Sequence, residues 1–262
     1  MQIVIAFYKS ILRPPLRETY KSLRGLPHFI VYVKNLNRFK SSKPRDSSFP
    51  LGKTYPCLDD RSDSAGSANG HYFHQDLLVA QKIFSARPSN HLDVGSRVDG
   101  FVAHVATFMK IDVLDIRPMK TSAKNISFHN LDLLSDQASS LGTFESVSCL
   151  HALEHFGLGR YGDKLDSMGW VKGLQSLKNL TSPGGLLYLS VPIGPQRIEF
   201  DAHRVFAVPT LRSALQDGFQ VVDFSYVNDE GELVMVELQD FLTDENSFGC
   251  NYGCGIFVLQ RE

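Results

Sequence analysis

The sequence predicts an α/β fold built on a doubly wound, Rossmann-like sheet, and three observations carry that expectation. Short apolar runs alternate with stretches of helical periodicity from residue 71 to residue 260. The stretch NHLDVGSRVDGF, Asn90 to Phe101, reads as a strand that turns through glycine into a helix. Near the end, two strand-like runs are joined through NDEGELVMVELQDF, which lets the last one run antiparallel.

In chain order, HYFHQDLLVAQKIFSA (71–86) has Leu77, Leu78, Ala80, Ile83 and Phe84 at helical spacing. HLDVG is the first strand, DGFVAHVATFMK (99–110) a helix and IDVLDI (111–116) the second strand. ISFHNLDL (126–133) and FESVSCLHAL (144–153) are the third and fourth strands. GWVKGLQSLKNL (169–180) is a helix closed by the turn TSPGG, and LLYLSVP (186–192) is the fifth strand. PTLRSALQDGF is a helix with a glycine stop; FQVVDFSYV (219–227) and CGIFVLQ (254–260) complete a seven-stranded mixed sheet.

The chain divides by composition into a basic extension, 1–55, and an α/β domain, 56–262. The first 55 residues hold eleven Lys/Arg against two Asp/Glu, and the remainder sixteen against twenty-six, although the net charge is −1. A basic arm on an acidic body suits an anionic partner, such as a membrane surface or a phosphorylated substrate, and equally a solvated arm docked on its own domain. Phe7, Tyr8, Phe29 and Tyr32, set among Lys9, Arg13, Lys34 and Arg38, suit an interfacial segment or packed helices, and Pro14-Pro15 interrupts any helix there. Residues 41–70 are rich in Ser, Pro, Gly and Asp and read as an irregular approach segment. MQIVIAFY lacks a basic n-region and a cleavage site, and no apolar stretch is long enough for a span, so a cytoplasmic protein that can rest on a membrane is expected. Four cysteines are too few for a disulfide framework; Cys250 and Cys254 lack a second Cys/His pair at zinc-finger spacing, and no metal is expected.

Ligands of open α/β sheets bind at the carboxyl ends of the strands where strand order reverses, which places the loop Gly95–Gly100 at the site. A dinucleotide fingerprint requires a middle glycine, and Arg97 stands there. A ligand without a pyrophosphate makes no such demand. Asp115 ends the second strand, where an acceptor-only carboxylate can hold both ribose hydroxyls, and Asp132 follows the third.

Asp-x-Gly, an acid ending strand two and an acid after strand three together resemble the class I S-adenosylmethionine-dependent methyltransferases. That resemblance implies Asp93 and Gly95 at the methionine end, Asp115 at the ribose and Asp132 near the adenine. Ser96, Gly100, Ile116, Leu133 and His151 join the cofactor set by position, and Tyr72 and Gln75 of HYFHQD, with His74, cover it. The longer words HYFHQD, DVGSRVDGFVAH, LDIRP, LHALEHFGLGRYGD, SVPIG and AHRVF resemble one family over about residues 56–262. It is a domain-of-unknown-function family first defined from nematode proteins and also seen in bacteria, some members near surface-polysaccharide genes. The implied reaction is O-methylation of a small molecule or a glycan or lipid-linked intermediate.

A hydroxyl acceptor needs a proton acceptor, and His155, His203 and Asp163 are the candidates. Arg160, Tyr161 and Arg204 can hold an anionic or sugar acceptor. His91, His104 and His129 read as structural histidines, and Trp170 as core. Two rivals stay open: an NAD(P)-dependent sugar-nucleotide oxidoreductase, for which no Tyr-x-x-x-Lys pair is present, and a non-catalytic binding module on the same fold. Nucleic acid is not an expected substrate, since HALEH stands where an Asn-Pro-Pro-Tyr-type motif would.

Overall fold

The computed structural model describes residues 13–42, 48–58, 61 and 63–262, with side chains from residue 27 onward. The chain forms two units divided between Ser67 and Ala68, later than the composition boundary at 55. In the first unit, helix α1 runs Arg13–Ser42. Pro14 and Pro15 occupy its first turn, so they begin a helix instead of interrupting one, because proline needs no intrahelical N–H partner there. The expected aromatic-basic pairing of Phe7, Tyr8 and Lys9 lies outside the described residues. Among the described residues no helix is long and apolar enough to cross a membrane.

The second unit opens with α2 (His71–Ala86), followed by β1 (His91–Val94), α3 (Ala103–Ala106), β2 (Ile111–Asp115), β3 (Ile126–Asn130) and β4 (Phe144–Leu150). Then come α4 (Gly169–Leu180), β5 (Thr181–Ile193), β6 (Arg197–Glu199), β7 (His203–Val205), α5 (Val208–Leu215), β8 (Phe219–Val227), β9 (Leu233–Val236), α6 (Leu238–Thr243) and β10 (Gly253–Arg261). Among the described residues the main sheet has eight strands in the order β3-β2-β1-β4-β5-β10-β8-β9. β1 to β5 pair in parallel, and β10 lies antiparallel between β5 and β8. The antiparallel last strand is therefore inserted in the sheet, not added at its edge. β6 and β7 form a separate hairpin.

The eighth strand, β9, was not expected. Asn228 accepts the N–H groups of Glu230 and Glu232, which folds NDEGE into a turn and returns LVMV along β8 as the edge. The helix expected over 99–110 begins instead as a π-type turn at Val98–Val102, and its α-helical part ends at Ala106. Gly100 within this turn faces the Asp76 carboxylate of α2 so closely that a Cβ has no room. TSPGG, expected as a turn, is the start of β5. Phe144 pairs with Thr181 but Ser146 with Leu186, so the Pro-Gly-Gly residues bulge out of a continuing ladder.

Both sheet faces are covered. One apolar core joins Leu92, Val94, Val147, Leu189 and Phe257 to Leu177 of α4, Leu211 of α5 and Phe241 of α6. The other joins Ile111, Val113, Tyr188 and Ile256 to Val79 and Ile83 of α2 and to Phe101 and Val105. Burial on both faces is what a parallel sheet with crossover helices requires.

The chain leaves β1 for β2 on one side and returns to β4 on the other, so the order reverses between β1 and β4. Gly95 makes the turn there at φ +71°, and a Cβ would press on the Ala152 methyl at 3.0 Å. Gly95→Ala is expected to destabilise the domain by about 1–3 kcal/mol, the cost of a left-handed non-glycine residue, read as a lower urea midpoint at unchanged slope.

Candidate functional site

Two adjoining cavities open where the order reverses. The first is mainly apolar, with about 620 Å³ of open space, lined by Val94, Gly95, Leu114, Asp115, Ile116, Leu131, Asp132, Leu133, Ala152 and Phe156 among others. The second is polar, about 600 Å³, and is lined by Tyr72, Arg97, Glu154, Arg160, His203 and Tyr252. Gly95, Arg117, His151, His155 and Tyr161 border both.

The apolar cavity has one charged pair in its wall. Asp115 accepts Arg117 Nε at 3.0 Å on one oxygen and Nη2 at 2.5 Å on the other, and the Arg117 backbone N–H at 2.8 Å. The Arg117 guanidinium also lies 4.6 Å from the Tyr161 ring centre. Asn130 donates to the carbonyls of Asp115 and Ile116 and so holds this strand end in place. Asp132 accepts the Leu134 N–H at 2.9 Å in its own turn while bordering the cavity.

His151 follows β4 with φ +51°, a costly conformation for a side-chain-bearing residue, and its N–H is held by Ser190. Its Nδ1 lies 2.8 Å from Glu154 Oε1, and both side chains are buried. His155 Nδ1 donates to the Ala202 carbonyl at 2.6 Å, and Nε2 stands 3.7 Å from Glu154 Oε1. That bond selects the tautomer with the lone pair on Nε2. Burial holds His155 below the ordinary histidine range, against the Glu154 charge that raises it. Burial lowers His203 as well; its Nε2 lies 3.5 Å from Glu199 Oε2 and its ring tilts on Tyr252.

Residues 99–250 match the family model described as "Caenorhabditis protein of unknown function, DUF268". The chain belongs to this family. No curated protein matches it. Among solved structures, it resembles a Galdieria sulphuraria protein provisionally assigned as a sarcosine dimethylglycine methyltransferase, with TM-score 0.50 and 13% identity over 71% of this chain and 85% of that one. It also resembles the N-methyltransferase NodS of Bradyrhizobium japonicum WM9 solved with S-adenosyl-L-homocysteine (TM-score 0.49, 15% identity, 73% and 88% covered). A third is CalS10, an amino pentose methyltransferase of Micromonospora echinaspora (TM-score 0.46, 16% identity, 76% and 93% covered). The strand order and the Galdieria likeness place the DUF268 chain in the class I methyltransferase fold.

Of the cofactor residues expected in this DUF268 domain, Gly95, Asp115, Ile116, Asp132, Leu133 and His151 border the apolar cavity, and Tyr72 the polar one. Asp93, Ser96, Gly100 and Gln75 border neither. Asp93 is fully buried and accepts Ser96 N–H, Ser96 Oγ and Ser148 Oγ, so it shapes the loop from beneath. Gln75 accepts Ser190 Oγ and donates to Asp76 inside the core.

Asp163, expected as a base, borders the apolar cavity and also accepts the N–H groups of Gly157, Gly159 and Tyr161, which ties the GLGRYGD loop. Arg204, expected on the acceptor, is buried and donates to the carbonyls of Glu154, Phe156 and Ser167, holding the same segment from behind. Arg160 and Tyr161 do border the polar cavity, as do His155 and His203. His91, His104 and His129 each bond within the framework, to Ser146 and Ser148, to Gly100 O and to Asp112.

Sequence reasoning missed Arg117, Arg97, Glu154 and Tyr252. Arg117 was legible, two residues after Asp115 in LDIRP; Tyr252 reaches the cavity only because β10 inserts between β5 and β8.

Burial pushes the Asp93 carboxyl up to about 7 from 3.8, against the serine bonds that lower it. The folded state therefore holds a proton that the unfolded chain has lost. This contribution to stability is complete below pH 4 and disappears as pH rises to about 7, at about 1.4 kcal/mol per pH unit in between. Urea denaturation of wild type and Asp93→Asn at pH 5 and pH 7 is expected to show this slope in wild type alone.

Proposed function

We propose that this chain is an S-adenosylmethionine-dependent methyltransferase acting on an oxygen of a small-molecule or glycan acceptor. The observation that carries the reading is the convergence of Gly95, Asp115, Ile116, Asp132 and Leu133 on one apolar cavity at the strand-order reversal, beside a polar cavity that shares His151 and His155. The lining fits the cofactor: a carboxylate for the ribose, Ile116 and Leu133 for the flat faces of adenine, and Gly95 for close backbone approach. When bound, S-adenosylmethionine supplies a methyl group on a positively charged sulfur.

His155 is the base this geometry favours. Its lone pair is on Nε2 and it borders both cavities, whereas His203 borders the polar one only. His155 takes the acceptor proton as oxygen bonds to the methyl carbon and the carbon–sulfur bond breaks. Arg97, Arg117 and Arg160 border the polar cavity and suit an acidic or phosphorylated sugar.

One observation favours a second reading. An arginine beside the ribose carboxylate also suits the 2′-phosphate of a nicotinamide dinucleotide, and Arg117 is such a residue. Calorimetric titration with S-adenosylhomocysteine and with NADP separates the two. The proposal expects adenosyl binding weakened at least tenfold in Asp115→Ala, and NADP binding alone would sink it. In the first acceptor assay to show turnover, His155→Asn is expected to lower kcat by about 10²–10⁴-fold while S-adenosylhomocysteine affinity stays within threefold.

A further inference from the structure

We propose that His71, His151 and Cys254 form a binding site for a borderline-soft transition-metal ion of the Zn2+ class. They come from three elements: the first turn of α2, the end of β4 and the start of β10. One ligand atom from each lies within 4.8 Å of the other two. In a tetrahedral zinc site, bonds of about 2.0–2.3 Å put ligand atoms about 3.3–3.7 Å apart, so the atoms need approach by only about 1 Å, while the stacked His71 and His151 rings, 8° from parallel, rotate to aim both lone pairs at one ion.

The surroundings prepare both histidines. His151 Nδ1 is bonded to the Glu154 carboxylate, and its buried Nε2 makes no hydrogen bond of ordinary length, with the Cys254 thiol beside the ring. The Tyr252 backbone beside His71 favours its protonated ring against the burial that lowers it. A carboxylate or carbonyl behind each imidazole is the usual support of a metal-bound histidine, fixing the ring and raising its basicity. A buried imidazole nitrogen left unpaired is otherwise costly. Cys254 is fully buried, with two long contacts from Sγ to replace, 3.7 Å to Gln75 Oε1 and 3.9 Å to the Gly255 carbonyl. Nitrogen and sulfur donors select Zn2+ or Co2+ over Mg2+ or Ca2+. Three protein ligands leave a fourth position, and His151 borders the polar cavity. The cysteine loses its proton to solvent on binding.

The site shares His151 with the methyl-transfer reading, but its test needs no cofactor. Chelator-treated full-length protein, carrying Cys57→Ser to remove the exposed thiol, is titrated with Co2+ and then challenged with Zn2+. One equivalent with thiolate-to-cobalt charge transfer and tetrahedral visible bands is expected, displaced by Zn2+. Cys254→Ser and His71→Gln should each weaken Zn2+ at least 100-fold, Glu154→Gln about 10–100-fold, and Cys250→Ser not at all. A metal-free melting temperature within a few degrees of the parent's establishes that each variant folds. No charge-transfer band in the parent, or an undiminished one in folded Cys254→Ser or His71→Gln, would overturn the proposal.

Discussion

The site depends on one buried carboxylate. Asp93 sits on the strand at the reversal and takes three hydrogen bonds, two from Ser96 in the following turn and one from Ser148 on β4. Ser96 Oγ in turn accepts the Leu150 N–H. The turn after β1 is thereby fastened to the end of β4, across the gap that becomes the mouth of both cavities. Burying a carboxyl group is expensive unless it is bonded or protonated. Here the serines and the raised proton affinity meet that cost together. The polar seam continues downward through Ser148 to His91, which is buried and bonded on both ring nitrogens. It lies between apolar layers, so its geometry is held by packing on both faces.

Above this seam the two cavities differ in kind. The apolar one is formed by strand ends that already carry Val, Leu and Ile for core reasons. The polar one is formed by what hangs over them: the GLGRYGD loop, the β6–β7 hairpin and Tyr252. Asp163 and Arg204 both bind backbone groups in this overhang. Their charge satisfies loop amides and carbonyls that have no ladder partners. Arg117 spans the boundary, bonded to Asp115 and lying on Tyr161.

Much was legible in the sequence because local rules act locally. Alternating periodicity revealed the helices and seven strands, the Asp-x-Gly word located the turn, and Asp115 and Asp132 were read from their positions at strand ends. The misreadings were of two kinds. TSPGG carries strong turn chemistry, yet tertiary pairing with β4 absorbs it as a bulge. Arg204 and Gln75 have the chemistry of site residues, but their partners are backbone and core groups up to 179 positions distant. No residue-type pattern distinguishes those fates.

What the sequence by itself determined is the order of elements, the sheet class and the placement of Gly95, Asp115 and Asp132 at strand ends, since periodicity and turn chemistry are properties of neighbouring residues. Only the tertiary structure decided which polar side chains face space and which face backbone. It alone brought His71, His151 and Cys254 together, because β10 inserts between β5 and β8 and delivers residues 252 and 254 to the end of β4. Contacts of that separation are set by sheet order, which a linear reading of the chain does not contain.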